Sequence, residues 1–253
     1  MNNAVIIGHG IVGRATAKSF GIEDYYDIRE STVSLAQCAN FRYIFLCLPT
    51  PNQDGFCYTQ DIEKTIETVK AQGKQNIFVI RSTVIPGTCK RIAEKTGAVI
   101  VSNPEFLSEA SWEQDAVQPR IAVVGSDNTE AREEIAGLYR SRFKYLSPFV
   151  TDSVTAELAK YALNLFFATK VMFANEFYEY VQEVKGNYDT VRQVLERHPW
   201  GSINHFRVFY GKDNLRGIRG RCLPKDLKAF ANASGSPFFK QIDAMNRRYT
   251  HGE

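Results

Sequence analysis

The sequence contains no long apolar run and no strong excess of charge. No stretch reaches the roughly 18 apolar residues that a membrane helix needs, and strand-like residues begin within the first few positions, so we expect no secretory leader. The formal net charge of +3 is small and spread along the chain, which is atypical of nucleic-acid-binding proteins. We therefore expect neither a membrane nor a nucleic acid as a partner.

Histidine is scarce, and the cysteines follow no pattern. The 4 histidines and 5 cysteines form no CxxC pair and no spacing typical of a metal site. The cysteines are odd in number and far apart, which argues against a disulfide framework. We therefore expect free thiols, a reducing cytoplasmic setting and no bound metal.

Short apolar runs alternate with helix-like stretches over residues 1–149. The predicted strands lie at 4–7, 25–28, 42–48, 76–81, 99–101 and 121–125, and the predicted helices at 14–20, 61–71 and 128–139. This alternation predicts an α/β fold with a doubly wound parallel sheet. We therefore predict a Rossmann domain over residues 1–149.

The pattern changes near residue 150. Thr151 or Asp152 is placed to cap a long helix that runs to about residue 183 with no strand-like segment inside it. A final helix is predicted at 238–249, so residues 150–253 are predicted to form an all-α domain with a long central helix. This helix has more apolar surface than one domain covers, which favours a homodimer through it.

A glycine-rich turn joins the first predicted strand to the first helix. Gly8, Gly10 and Gly13 have the spacing of the dinucleotide-binding fingerprint, with Ile11 and Val12 between them. The glycines allow a tight turn and close approach of a pyrophosphate, which the N–H groups at the helix N-terminus can bind.

An acidic residue follows the second predicted strand. Asp27 lies about 20 residues beyond the first glycine, where a carboxylate binds the ribose 2′-hydroxyl of NAD. A carboxylate there disfavours the 2′-phosphate of NADP, whereas Arg29 and Ser31 leave the opposite preference open. We predict a dinucleotide cofactor and favour NAD.

Polar residues also follow later strands. Thr50, Thr83 and Glu105 each come directly after a predicted strand. The carboxyl ends of parallel strands meet at one edge of a sheet, where open α/β folds bind ligands. We therefore expect these side chains to lie on the same rim as Gly10 and Asp27.

One thiol stands among glycines and cations. Cys222 follows Gly217 and Gly220 and lies between Arg221 and Lys225, and such cations favour the thiolate. From these residues alone two interpretations stay open. Cys222 is either an activated nucleophile or a half-buried cysteine in a turn before a helix.

Two polar residues share one face of the predicted long helix. Lys160 and Asn164 lie one turn apart. They are either donors to a common ligand or an ordinary solvated helix face.

Together these segments resemble the UDP-glucose/GDP-mannose dehydrogenase family. The resemblance covers nearly the whole chain, and the motifs occur in the order that the family has. They are the GxGxxG turn, Pro49-Thr50-Pro51, Ser82-Thr83 with Pro86-Gly87, Asn103 to Glu109, Pro119 to Ile121, Ala156 to Tyr161 with Asn164, Asn175-Glu176, and Cys222 to Asp226. This combination favours the nucleophile interpretation of Cys222.

The resemblance implies an NAD-dependent nucleotide-sugar 6-dehydrogenase, similar to UDP-glucose 6-dehydrogenase and serving polysaccharide biosynthesis. It implies oxidation of a sugar primary alcohol to a carboxylate through a thiohemiacetal and a thioester on the thiol. The implied catalytic residues are Cys222, Lys160, Asn164, Asp226, Thr83 and Glu109. The implied cofactor residues are Gly8, Gly10, Ile11, Val12, Gly13, Asp27, Thr50, Thr83 and Glu109. The implied substrate residues are Glu105, Lys160, Arg207, Tyr210 and Gly220.

The chain departs from the family pattern in two places. Family members carry a third domain that helps to hold the nucleotide of the substrate, and the predicted final helix ends before it. The family loop before the thiol has two adjacent glycines, whereas this chain has Arg219 in one of those positions. Arg219 either strains the loop or contributes a phosphate contact.

These departures leave several functions open. A four-electron dehydrogenase fits if the substrate is smaller or a separate chain completes the site. A two-electron sugar-phosphate or hydroxyacid dehydrogenase would leave the thiol idle. A reduced, NAD-binding family member would lack full catalysis.

Overall fold

The chain divides into two compact units. The computed structural model describes residues 1–53, 55–198, 208–209 and 215–250. The first unit comprises Met1–Pro51 and Cys57–Lys160, and the second comprises Asn52–Phe56 and Tyr161–Glu253. The domain boundary after residue 149 stays a prediction, and the compact units divide further along the chain, at Lys160.

The secondary structure alternates in the first unit and is helical in most of the second. The strands are β1 Ala4–Ile7, β2 Tyr25–Tyr26, β3 Tyr43–Leu46, β4 Asn52–Gln53, β5 Phe56–Cys57, β6 Ile77–Ile80, β7 Val99–Ser102, β8 Val123–Gly125 and β9 Phe149–Thr151. The helices are α1 Ile11–Phe20, α2 Gln60–Lys70, α3 Thr88–Thr96, α4 Trp112–Val117, α5 Thr129–Arg142, α6 Ser153–Glu183, α7 Tyr188–Arg197, α8 Leu223–Ser234 and α9 Pro237–Thr250. A single 3-10 turn at Gln37–Asn40 precedes β3.

The sheet of the first unit has seven strands in the order β2-β1-β3-β6-β7-β8-β9. The first five run parallel, with β1 between β2 and β3, which is the topology of a doubly wound, Rossmann-like α/β sheet. The predicted fold class is therefore confirmed.

The predicted all-parallel arrangement needs one correction at the far edge of the sheet. Strand β8 is antiparallel to β7, with Ser102 opposite Gly125, and β9 is parallel to β8. Antiparallel neighbours need no crossover helix. The connection between β7 and β8 accordingly contains only the six-residue α4.

The core of the first unit lies on both faces of this sheet. Along β1, Ala4 and Ile6 belong to one buried apolar cluster, whereas Val5 and Ile7 belong to the other. Side chains alternate between the faces of a strand, so a strand covered on both sides is apolar throughout. This burial explains why the strands appear in the sequence as short continuous apolar runs.

Several short elements were not predicted. They are β9, the two-stranded sheet of β4 and β5, and the helices α3, α4 and α7. Each is at most ten residues long, and β9 carries Phe149 with 67% of its surface exposed. Short elements of this kind have too few periodic residues to stand out. None of the helices built from the described residues is both long enough and apolar enough to cross a membrane.

The long helix begins where the sequence predicted, with Asp152 as its cap. The Asp152 carboxylate accepts hydrogen bonds from the Thr155 backbone N–H at 2.8 Å and from the Thr155 hydroxyl at 2.7 Å. Thr151 instead ends β9. The bonds from Thr155 lower the pKa of Asp152 below its usual value. The carboxylate therefore satisfies an N–H group of the first helical turn.

Replacing Asp152 tests this cap. We expect Asp152→Ala to reduce the free energy of unfolding by about 1 kcal/mol, because an N–H group of the first turn loses its acceptor. Asp152→Asn should stay close to wild type at pH 7, since asparagine caps equally well. Urea denaturation followed by circular dichroism measures both values.

The same variants separate the charge from the hydrogen bond. The folded-state pKa of Asp152 is lowered, so its extra stabilisation is present above its unfolded pKa of about 3.9 and is lost as the pH falls through the folded pKa. The stability of wild type should therefore fall below that of Asp152→Asn on acidification, because asparagine does not titrate. A difference that is constant with pH would contradict the assignment.

Candidate active site

The turn between β1 and α1 is shaped by two glycines that have no space for a side chain. Gly8 has φ +92°, and a Cβ built on it would lie 2.6 Å from the Cys47 carbonyl oxygen. A Cβ on Gly13 would lie 2.0 Å from the Gly8 carbonyl oxygen. Both positions therefore require glycine for the fold itself.

Gly10 has a different environment. A Cβ built on Gly10 would meet no described atom within 4 Å. Gly10 is the N-cap of α1, and no described side chain caps the helix, which continues through Ile11 and Val12. The space at Gly10 and the uncapped helix N-terminus suit the close approach of a pyrophosphate, which the N–H groups of the first turn can bind.

Asp27 is fixed beside this turn. Its carboxylate accepts hydrogen bonds from the His9 N–H at 2.8 Å and from the Arg29 N–H at 3.1 Å. The bond from His9 is the main reason that the pKa of Asp27 lies below its usual value. The His9 ring in turn stacks on Tyr25 with centroids 3.8 Å apart. An ionised carboxylate held in this way is suited to accept bonds from ribose hydroxyls, so these residues fit NAD.

Thr50 and Thr83 contact each other after adjacent strands β3 and β6. The Thr50 hydroxyl donates to the Thr83 carbonyl at 2.7 Å, and the Ser82 hydroxyl donates to the Leu48 carbonyl at 2.6 Å. The two loops are therefore bonded together at the carboxyl edge of the sheet. The structure brings these two predicted site residues together.

Lys160 is buried and paired with Glu105. The ammonium lies 3.0 Å from a Glu105 oxygen, and the two side chains are only 6% and 11% exposed. The other Glu105 oxygen accepts from the Leu107 N–H at 2.7 Å, and the Lys160 ammonium lies 5.7 Å from the centre of the Phe106 ring. A buried charge requires such pairing, so the interpretation of Lys160 as an ordinary solvated lysine is wrong.

Asn164 and Asp226 form a second buried pair within the second unit. The Asn164 amide donates to Asp226 at 2.6 Å, and Asp226 has no exposed surface. The Lys225 ammonium lies 2.7 Å from the other Asp226 oxygen. The Asp226 backbone N–H donates to the Cys222 carbonyl at 2.9 Å, so both residues belong to the first turn of α8.

Cys222 is the N-cap of α8, and it is exposed. The preceding Gly220 has φ +88°, a conformation that only glycine adopts without strain. A helix N-terminus stabilises negative charge, including that of a thiolate. The cysteine precedes a helix, as the second interpretation required, but its exposure contradicts the burial that this interpretation also assumed.

Arg219 does not strain the loop over residues 216–221, which precedes Cys222 and is called the thiol loop below. Among the described non-glycine residues only Lys185 has a positive φ. The Arg219 side chain donates to the carbonyls of Arg216 at 2.6 Å and Tyr249 at 3.3 Å. Arginine at this position therefore binds the loop to α9, and the expectation of backbone strain is wrong.

Two other predicted residues are exposed, and two lie outside the described part. Glu109 is exposed in the turn before α4, and Gly220 is also exposed. Arg207 and Tyr210 lie outside the described residues. Within the described ranges, no three His, Cys, Asp or Glu side chains gather in a group that could hold a metal ion.

Two asparagines bind the thiol loop; sequence reasoning named Asn175 only as part of a family motif and missed Asn246. Asn175 on α6 accepts from the Gly217 N–H at 3.3 Å, and Asn246 on α9 accepts from the Ile218 N–H at 2.6 Å. Asn246 stands one turn after the buried Ile242. A polar residue on an apolar helix face was the available signal for Asn246.

Two family models match this chain. The NAD-binding domain of the UDP-glucose/GDP-mannose dehydrogenase family matches residues 26–143, and the central domain of that family matches residues 154–248. Together they cover most of the sequence. The chain belongs to the UDP-glucose/GDP-mannose dehydrogenase family. The predicted family and the predicted cofactor, NAD, are thereby confirmed.

Curated relatives agree with this assignment. UDP-glucose 6-dehydrogenase of Rickettsia felis is 33% identical over 207 residues, covering 76% of this chain and 44% of the relative. GDP-mannose 6-dehydrogenase of Pseudomonas putida is 27% identical over 242 residues, covering 88% of this chain and 51% of the relative. The chain spans about half the length of the curated relatives it matches.

Solved structures share the fold. A UDP-glucose dehydrogenase of Pyrobaculum islandicum superposes with a TM-score of 0.81 at 24% identity, covering 98% of this chain and 68% of that one. A UDP-D-ManNAc dehydrogenase of Pyrococcus horikoshii superposes with a TM-score of 0.83 at 21% identity, covering 97% and 68%. The fold of this family member is therefore that of nucleotide-sugar dehydrogenases.

The glycine turn gives a prediction that separates cofactor binding from folding. We expect Gly10→Ala to leave the free energy of unfolding within about 0.5 kcal/mol of wild type, since its Cβ meets no described atom. The methyl group should weaken NAD binding about tenfold or more, because it occupies the space facing the helix N-terminus. Calorimetric titration with NAD and urea denaturation measure the two effects.

Gly13→Ala is the matched control. Its Cβ would clash with the Gly8 carbonyl, so we expect it to reduce stability by about 1–3 kcal/mol even without NAD. Equal loss of stability in the two alanine variants would contradict the different roles assigned to these glycines.

Proposed function

We propose that this chain is an NAD-dependent nucleotide-sugar 6-dehydrogenase that oxidises a sugar primary alcohol to a carboxylate. The observation that carries the proposal is the exposed Cys222 at the N-terminus of α8, one turn before the buried Asp226. Cys222 lies within the match to the central domain of the family. A thiol of this kind is suited to covalent catalysis on an aldehyde.

The other cysteines support this choice of nucleophile. Cys38, Cys47 and Cys89 are all buried. Burial raises the pKa of Cys38 and of Cys47 to about 11 in each case and raises that of Cys89 as well. These three thiols stay protonated near neutral pH and are poor nucleophiles. Cys57 is only partly exposed.

The proposed reaction has two oxidations. NAD, when bound, would supply the hydride acceptor for both oxidations, first for the alcohol carbon and then for the carbon attached to sulfur. Between the oxidations the Cys222 thiolate adds to the aldehyde carbon and a proton goes to its oxygen, which gives a thiohemiacetal. The second oxidation leaves a thioester, and water cleaves its carbon–sulfur bond to release the acid and the free thiol. Two NAD are reduced for each sugar oxidised.

The buried polar pairs supply the remaining roles in this proposal. Lys160 and Asn164 lie one turn apart on α6 and would stabilise the oxyanion that develops on the substrate, because fixed donors lower such barriers. Asp226, Thr83 and Glu109 would position or activate water. The proposal assigns substrate contacts to Glu105, Lys160, Arg207, Tyr210 and Gly220. It also places the enzyme in the cytoplasm, where a nucleophilic thiol stays reduced.

Replacing Cys222 tests the proposed function. We expect wild type to form two NADH for each nucleotide sugar consumed. The rate of NADH formation should be more than about 10³-fold lower in Cys222→Ala, as in other enzymes that lose a nucleophile. Cys57→Ser, which alters the only other thiol that is not buried, is the control and should keep both rate and stoichiometry. Absorbance at the NADH band and product analysis across a panel of nucleotide sugars and sugar phosphates give the result.

The other outcomes distinguish the alternatives. One NADH per substrate, with the alanine variant still active, would identify a two-electron dehydrogenase. Tight NAD binding without turnover of any sugar would identify an NAD-binding protein that does not catalyse the reaction.

We also propose that the enzyme is a homodimer through α6. Large apolar side chains along the second-unit part of this helix are exposed, with the ring of Phe173 stacked on that of Phe177. They are Phe166 at 57%, Phe173 at 50%, Phe177 at 37%, Tyr180 at 58% and Val184 at 54%. Their spacing places them along one side of the helix, and an exposed apolar stripe of this length is typical of an interface.

A charged substitution on this apolar stripe tests the proposed dimer. We expect Phe173→Glu to convert a dimer to a monomer, because a carboxylate would be buried without a partner at the interface. Phe238→Glu is the control, since Phe238 on α9 is 55% exposed and lies outside the stripe. Sedimentation velocity of the three proteins measures the mass. A monomeric wild type, or a dimer that survives Phe173→Glu, would reject the proposed interface.

A further inference from the structure

The loop before the thiol is bound by a side chain from α6. Asn175 is fully buried, and its oxygen accepts from the Gly217 N–H at 3.3 Å and from the Arg216 side chain at 3.4 Å. Its amide nitrogen donates to the Val171 carbonyl of α6 at 2.8 Å. One end of the loop is therefore bonded to a long, continuous helix.

A second asparagine, Asn246 on α9, also binds the loop. Both polar atoms of its side chain bond to the backbone of one residue. The Asn246 oxygen accepts from the Ile218 N–H at 2.6 Å, and its nitrogen donates to the Ile218 carbonyl at 3.3 Å. Asn246 is 6% exposed and Ile218 is 1% exposed. Buried backbone groups must be paired, and here a single amide pairs both groups of Ile218.

The loop approaches Asn246 closely because a glycine precedes Ile218. Gly217 has φ +80°, and a Cβ built on it would lie 2.7 Å from the Asn246 oxygen. A side chain there would push the loop away from α9. The hydrogen bonds between Asn246 and Ile218 therefore depend on glycine at position 217.

Further bonds connect α9, the loop and α6. Arg219 donates to the Tyr249 carbonyl at 3.3 Å, and the Arg216 guanidinium lies 4.5 Å from the centre of the Tyr249 ring. The Tyr249 hydroxyl donates to Glu176 of α6 at 2.6 Å. Burial and Glu176 raise the pKa of Tyr249 to about 12, so this hydroxyl stays a donor at any physiological pH. The loop is thus held between two helices.

We infer that Asn246 is a positioning residue for the Cys222 thiol, an inference that rests on the proposed function. It fixes Ile218, only four residues before the cysteine, and so sets where the N-terminus of α8 begins. An apolar residue at position 246 would fill the space but leave both backbone groups of Ile218 unpaired. Helix α9 would therefore help to position the thiol.

Asn246→Ala tests the inference, with Gln241→Ala as the matched control. Gln241 is an exposed residue of the same helix. The direct readout is carbamidomethylation of Cys222 by iodoacetamide as a function of pH, quantified by peptide mass spectrometry. We expect the pH midpoint of this reaction to rise in Asn246→Ala, because a loosened loop no longer holds the sulfur at the helix N-terminus. The control should match wild type.

Steady-state kinetics give the second readout. We expect the kcat of Asn246→Ala to fall about 100-fold, as misplacement of a reacting group by about 1 Å does. The KM for NAD should change less than twofold, because no residue of the glycine turn is altered. A variant that lost structure generally would change both constants and would melt early by circular dichroism.

The outcomes keep this inference separate from the proposed function. If wild type turns over no nucleotide sugar, the proposed function fails, yet a raised midpoint in Asn246→Ala alone still supports the positioning of the sulfur. If Asn246→Ala does not fold, Asn246→Ser replaces it, since a short neutral side chain introduces no buried charge that would itself shift the midpoint. A folded variant with the wild-type midpoint and the wild-type kcat would overturn the inference.

Discussion

A buried polar group needs a partner, and four buried polar side chains of α6 have theirs outside the helix. Glu157 accepts from the N–H groups of Gly87 and Cys89 at the start of α3. Farther along, Lys160 pairs with Glu105, Asn164 with Asp226, and Asn175 with the thiol loop. Within each unit these bonds connect the helix to the segments that they reach.

The electrostatic environments of these groups differ. Burial raises the pKa of Glu157, and the hydrogen bonds from the two N–H groups stabilise its ionised form. Lys160 and Glu105 instead compensate each other as an ion pair, at 3.0 Å. Asp226 combines a neutral amide donor with the Lys225 ammonium. Polar groups that are fixed in this way need little rearrangement when charge develops beside them.

The sequence allowed much of the first unit to be predicted, for a physical reason. Strands such as β1 and β3 are buried on both faces and are therefore apolar throughout, and the glycines at positions 8 and 13 are demanded by clashes within the turn itself. By contrast, β9 could not be predicted because it has three residues and exposes Phe149. The direction of β8 was also missed, since strand direction depends on a connection whose path leaves no periodic pattern.

Prediction was less complete for the site. The thiol stretch and the Lys160 to Asn164 spacing were visible in the sequence, but their hydrogen-bond partners were not. Asn246 lies 28 residues from Ile218 in the chain, and only folding brings them into contact. The orientation of Arg219 also depends on α9, so its role in binding the loop could not follow from its position next to Gly220.

Exposure of Cys222 has a further chemical consequence. An accessible sulfur at a helix N-terminus is the one that peroxide meets first, and its initial product is a sulfenic acid. A sulfenic acid is protected when a neighbouring thiol condenses with it, but Cys38, Cys47 and Cys89 are buried and cannot serve. Recovery from oxidation would therefore depend on the partly exposed Cys57 or on a small thiol from solution, and without either the sulfur would pass to the irreversible sulfinic state.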